Sequence, residues 1–319
     1  MTRATRYARR KLDGLYTKLV TYRESVVEGG HVDLSQHVDD IVHQTQFNFK
    51  EPLAVLQTTN PPFLFRPMSQ ELLEMNPTEA SLQFQFFDYT PGNVETMTSR
   101  NTARTQQTCN LIHTQARDFR LQARGMSYLT YPDLFFLDDR GFDQYYPPDP
   151  ILQKGCAYHF FETVSDNTVL YPHITIIRGE PKNGQEDKIL YGELATLITA
   201  MRNRANQRKV QSSEERNALL SADKDPAEFP FLFPDEEHFP VLLISCVGPQ
   251  HARIFYACMD ERKLHIRQSR LFSFEQRSTA PVSFFGSMLL NRAVMQVSED
   301  ELAEDDEVEK GSPQTTTPP

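Results

Sequence analysis

Between Tyr158 and Phe274 the chain strings short apolar runs around one helical stretch, and that order restricts its fold more than any other feature. Tyr158-His159-Phe160-Phe161-Glu162-Thr163-Val164 and the run from Tyr171 through Ile174, Ile176 and Ile177 to Glu180 are rich in aromatic and β-branched residues, the composition of strands. A helix is predicted over residues 187–205, where Leu190, Leu194 and Leu197 recur at helical spacing. Val241-Leu242-Leu243-Ile244-Ser245-Cys246-Val247 and the stretch from Ala252 to Phe274 supply further strands. Strands, helix and strands again predict an α+β protein. Its mainly helical N-terminal part, residues 1–130, would pack as a layer on a mixed β-sheet core, residues 131–298. Residues 206–238 are polar and read as a surface insert in that core, and residues 299–319 read as a disordered acidic tail.

The formal net charge is −10, unevenly spread. Glu299 to Lys310 holds eight acids and one lysine, a net −7, which leaves −3 for residues 1–298. At the other end Arg3, Arg6, Arg9, Arg10 and Lys11 precede the first acid, Asp13. A basic head is compatible with nucleic-acid contact or targeting, and equally with a solvated helix start. With the acidic tail it also suits an adaptor that recruits a protein partner. No apolar run approaches the ~18 residues of a membrane span, so no membrane partner is expected. The opening has no apolar segment of the secretory kind. Cys109, Cys156, Cys246 and Cys258 form no Cys-x-x-Cys pair, as in reduced proteins. These readings together predict a soluble intracellular protein of the cytoplasm or nucleus.

Upstream of the core, Tyr7, Leu12, Leu15, Tyr16 and Leu19 predict a helix over residues 3–28, stopped at Gly29-Gly30. A second short helix is predicted from Asp33 or Ser35, to include Val38, Ile41 and Val42. Ser69 is a cap candidate for a helix over residues 68–74. Leu82-Gln83-Phe84-Gln85-Phe86-Phe87 alternates like an edge strand. Residues 94–124 lack Pro and Gly and predict one helix or two, with Leu111, Ile112, Phe119 and Leu121 inward. Asp260-Glu261-Arg262-Lys263 reads as a polar hairpin turn.

The chain has no Gly-x-Gly-x-x-Gly, no Walker-type loop, no Gly-x-Ser-x-Gly and no His-Glu-x-x-His. The six-residue spacing of His31, His37 and His43 suits neither a helix face nor a zinc ribbon, and Cys109 with His113 supplies two ligands only. The carboxylates of the core are more suggestive. Asp166 precedes the strand ending at Glu180, Glu180-Pro181-Lys182 spells Glu-x-Lys, and Glu193 lies on the following helix. In its order of elements this segment resembles the PD-(D/E)XK nucleases, whose restriction-endonuclease-like core it would share in degenerate form. That resemblance implies that Asp166, Glu180 and Glu193 would hold Mg²⁺ or Mn²⁺ and that Lys182 would orient water. The letters depart from the pattern. Pro172-His173 stands where Pro-Asp belongs, and Pro181 cannot donate to a central ladder. A structural alternative has Asp187 capping the helix, with Arg178 or His173 as the partner of a buried Glu193.

Tyr171-Pro172-His173-Ile174, Glu186 to Glu193, Val241 to Gln250, Arg253 and Leu271 to Phe274 also resemble segments of an uncharacterised family of filamentous-fungal proteins, over roughly residues 117–274. That likeness implies an intracellular α/β core and brings no cofactor or site. Two functions remain from the residues. One is a binding or interaction protein without catalysis or cofactor, working through a protein partner. The other is a metal-dependent nuclease, or a nucleic-acid-binding relative of one, using Asp166, Glu180, Lys182 and Glu193.

Overall fold

The computed structural model describes residues 1–75, 82–90, 97–116, 121, 126–128, 158–165, 168–220 and 223–294. A mixed sheet forms the centre. Its strands are β1 (Ile41–Gln44), β2 (Met126–Tyr128), β3 (Tyr158–Ser165), β4 (Ile174–Asn183), β5 (Val241–Gly248), β6 (His251–Asp260) and β7 (Lys263–Gln268). They lie in the order β1-β7-β6-β5-β4-β3-β2. The pairs β4–β5 and β1–β7 are parallel, and the other neighbours are antiparallel. The four principal helices are α1 (Arg3–Leu15), α2 (Met97–Thr114), α3 (Tyr191–Asn206) and α4 (Val282–Leu289). The class is α+β, as the sequence predicts.

Two cores flank the sheet. On one face α1 and α3 cover Ile174, Ile176, Leu243, Phe255 and Ile266. On the other, α2 and α4 cover Ile177, Leu242, Ile244, Ile254 and Tyr256. The alternation of neighbours such as Ile176 and Ile177 between cores follows the two-residue period of a strand. All eight residues of β5 are buried, as expected of a central strand covered on both faces. The helices of the N-terminal part are thus divided between the two faces.

Several local expectations change. The first helix is α through Leu15 and π over Tyr16–Thr21, and it ends there, before Arg23 and Ser25 take positive φ. Ile41 and Val42 belong to β1, because their β-branched side chains suit the edge beside Leu264 and His265. Residues 82–90 form no strand; their carbonyls are met by side chains instead. Gln250 Nε2 donates to Phe87 O at 3.0 Å, and Gln107 Nε2 donates to Gln85 O at 3.4 Å. Leu111, Ile112 and Leu121 are buried as expected, and Phe119 lies outside the described residues. Ser69 does meet the following helix, accepting from Leu72 N at 3.4 Å.

The basic head is only partly solvated. Arg3, Arg6 and Arg10 are exposed, whereas Arg9 is buried with Ala8, Leu12 and Leu15. Arg9 Nε donates to Ala205 O at 2.5 Å, and its Nη2 donates to Phe233 O at 2.7 Å. Its guanidinium also stands 4.0 Å from the Phe231 ring centroid. Arg9 therefore ties α1 to the end of α3 and to the 206–238 insert. Replacing it with Met keeps the apolar stem and orphans two carbonyls; urea denaturation should show a loss of about 2–4 kcal/mol.

Candidate functional site

Of the candidate residues, Glu180 and Glu193 lie where the C-terminal end of β4 faces the N-terminus of α3. Arg178 and Glu180 are two apart on β4 and share the face toward α3. Arg178 Nη2 donates to Glu180 Oε2 at 2.9 Å, and both side chains are buried. The Arg178 guanidinium also donates to Gly192 O and Thr196 Oγ1 on the first turns of α3. Gly192 leaves room for this pair: a Cβ there would stand 2.2 Å from Glu180 Oε2 and 2.8 Å from Arg178 Nη2, so the two side chains would have to shift.

Glu193 is the third residue of α3. Its Oε2 accepts from Leu190 N at 2.8 Å, which caps the helix from inside its first turn. The helix starts at Tyr191 with Leu190 in the cap position, so Asp187 is not the cap; it accepts from Gln46 Nε2 at 3.3 Å. The partner of Glu193 is Arg253 on β6, not Arg178 or His173. Arg253 Nε donates to Oε1 at 2.9 Å and Nη2 to Oε2 at 2.5 Å, with both side chains fully buried. A third bond, Nη1 to Gln185 O at 2.7 Å, completes the fork. The signal for Arg253 is visible in hindsight: a lone cation in a strand of otherwise apolar inward residues, Phe255, Ala257 and Met259.

Pro181 is accommodated by a bulge. Between Glu180 and Asn183 the register with β5 slips, Glu180 facing Val247 and Asn183 facing Gly248. A proline at a bulge removes no regular ladder bond. Lys182 then turns toward Gly30, whose φ is +76°, and a Cβ on Gly30 would lie 1.9 Å from Lys182 Nζ. His31 follows, and its Nε2 is buried without a hydrogen-bond partner. Burial, and then the charges of Lys188 and Arg253, hold its imidazole below the usual range.

Burial pushes the Glu180 carboxyl above the usual carboxylate range; the Arg178 charge offsets this only in part. Glu193 adds to the upward push and Lys182 opposes it, so Glu180, Lys182 and Glu193 share one electrostatic environment. Asp166 lies outside the described residues. The site as described is a buried cluster of two arginines and two glutamates. It can hold a helix terminus against a sheet. As a metal centre it is poorly disposed, because both Glu193 oxygens and one Glu180 oxygen already accept from donors. Among the described residues no group of three or more His, Cys, Asp or Glu side chains is placed to hold a metal ion. Comparisons with family models, curated proteins and solved structures give no match.

His173 is elsewhere. It precedes β4, seven residues and about 23 Å of strand from Glu180. Its ring packs edge-on against Phe65 at 5.1 Å. Neither ring nitrogen has a partner in hydrogen-bond geometry, although the Leu64 and Val294 carbonyls are near enough to favour the protonated form. Burial wins and lowers the pKa to about 3. The unfolded chain therefore binds this proton first as pH falls. The stability held by neutral His173 is complete above about pH 6.5 and is lost toward pH 3, at up to about 1.4 kcal/mol per pH unit. In His173→Phe, urea midpoints across this range should fall less steeply than in the parent.

Removing one partner of the Glu193–Arg253 pair leaves a buried charge uncompensated. Arg253→Met or Glu193→Met should each cost about 3–5 kcal/mol by urea denaturation. The double variant should cost clearly less than the sum of the two.

Proposed function

We propose that this is a binding protein without catalysis of its own, acting through a protein partner. The observation that carries this reading is the commitment of Glu193 to Arg253 and to the cap of α3. A hard divalent cation prefers carboxylate oxygens open to it, and here a guanidinium holds them. The acids of the sheet then serve the fold, and recognition falls to the surface, where the 206–238 insert and the charged termini supply groups. An intracellular setting, cytoplasmic or nuclear, fits the free thiols of Cys109, Cys246 and Cys258. Among the described residues no helix is long and apolar enough to cross a membrane.

One observation favours a second reading. Glu180 and Glu193 lie beside strands that run as an antiparallel series, a crossover helix and a parallel strand, with the Lys182 charge acting on Glu180. This order suits a metal-dependent nuclease of the PD-(D/E)XK kind, or a degenerate nucleic-acid-binding relative with Asp166 as a further ligand. Mg²⁺ or Mn²⁺ would then have to displace Arg178 and Arg253.

Calorimetric titration of Mn²⁺ into the full chain distinguishes the two readings, beside incubation with DNA and RNA. The first reading expects no saturable heat and no cleavage. Stoichiometric binding that disappears in Glu180→Gln and Glu193→Gln, with metal-dependent cleavage, would overturn it. The parent chain alone decides the question should either variant fail to fold.

A further inference from the structure

A cleft of about 280 Å³ opens beside the start of β4, away from the paired acids of the sheet. Pro62, Leu64 and Val294 give it an apolar wall. Its polar groups come from His173 and from Asp235, Glu236, Glu237 and His238, which lead into β5. Glu236 Oε1 accepts from His238 N at 2.7 Å and from Phe239 N at 3.2 Å, and Glu237 Oε1 accepts from the Thr2 hydroxyl at 2.7 Å. The second oxygen of each carboxylate has no donor among the described residues. Asp235 has a cation already, the Met1 ammonium at 3.2 Å. Arg9, the next cation inward, gives its N–H groups to the Ala205 and Phe233 carbonyls.

The two histidines accept as well. His238 Nδ1 lies 2.9 Å from Met259 O, and a carbonyl only accepts, so Nδ1 carries the proton and Nε2 keeps a lone pair. His173 is 4% exposed, and neither ring nitrogen has a partner in hydrogen-bond geometry. The backbone groups that act on it, the Leu64 and Val294 carbonyls, can take only its single N–H. Its other nitrogen therefore lacks a donor, and a buried acceptor left without one costs free energy that a donor on a ligand would recover. A charge on His238 would act on His173, so the two rings border one space.

The lining thus calls for several N–H donors and positive charge on a short apolar stem. A bare metal ion does not answer it, because among the described residues no three His, Cys, Asp or Glu side chains converge to hold one. The volume stands near the lower end of small-ligand pockets, which run from about 300 to about 1,000 Å³. That suits an organic cation of side-chain size.

We propose that this cleft binds an alkyl guanidinium or ammonium ion. Glu236, Glu237 and His238 Nε2 hold the charged head, one N–H reaches the unpartnered nitrogen of His173, and the stem lies on Pro62, Leu64 and Val294. Such a head group occurs on free amines and on the Arg or Lys side chain of a protein partner. The inference does not depend on whether the sheet holds a metal.

Imidazole NMR of the full chain, with ¹⁵N-labelled histidine and ring signals assigned through His173→Gln and His238→Gln, tests it. Agmatine is titrated as the free cation and a blocked Gly-Arg-Gly peptide as the side chain; a blocked Gly-citrulline-Gly peptide is the uncharged control of the same shape. Both cations should move the His173 and His238 signals saturably over roughly 0.1–10 mM, and the citrulline peptide should not. The tighter of the two identifies the source, a free amine or a partner's side chain. Glu236→Gln and Glu237→Gln keep the oxygens that meet the chain's own donors, and each should weaken binding at least about tenfold. Cations that move neither ring, or only His238, would overturn the proposal. So would an equal response to the citrulline peptide, or affinity unchanged in both Gln variants.

Discussion

The buried pairing of Arg253 with Glu193 is the contact on which the arrangement of this protein depends. It joins the N-terminus of α3 to the middle of the sheet through two bonds to one carboxylate, while that carboxylate also caps the helix. Such a pair gains little net stability over apolar residues, since desolvation consumes most of the attraction. Its effect is on specificity. A helix that slid by one residue, or a strand in another register, would leave a full charge buried and unpaired. Arg178 repeats the device two strands away, reaching Glu180, Gly192 and Thr196 together.

The apolar core supplies the drive to fold, and the ion pairs select among ways of satisfying it. Both faces of β4, β5 and β6 are covered, so hydrophobic burial alone would tolerate several placements of the helices. Arg9 acts similarly at the other end of α3, where it meets the Ala205 and Phe233 carbonyls. Three arginines that sequence composition would count as surface charge are thus internal fasteners.

This also explains why the candidate site was only partly legible. Glu180, Lys182 and Glu193 could be named because their letters and order resemble a known pattern. Their pairing could not be read, because Arg253 lies 60 residues from Glu193 along the chain and meets it only across the sheet. The bulge at Pro181 was foreshadowed by the proline, which a regular ladder excludes. His173 was placed near the acids by its neighbourhood in sequence, yet strand geometry carries it to the far end of β4.

The sequence by itself determined the α+β class, the central apolar strands and the helix that follows Glu186, because two-residue and helical periodicities are local properties of the chain. It did not determine the fate of residues 41–44 or 82–90. A short amphipathic segment takes its form from whichever edge or side chains are available to satisfy its backbone, and those belong to distant residues. Only the tertiary structure decided that β1 joins β7 and that the acids of the core face guanidinium groups. Charge pairing depends on distance in space, and sequence separation carries no record of that distance.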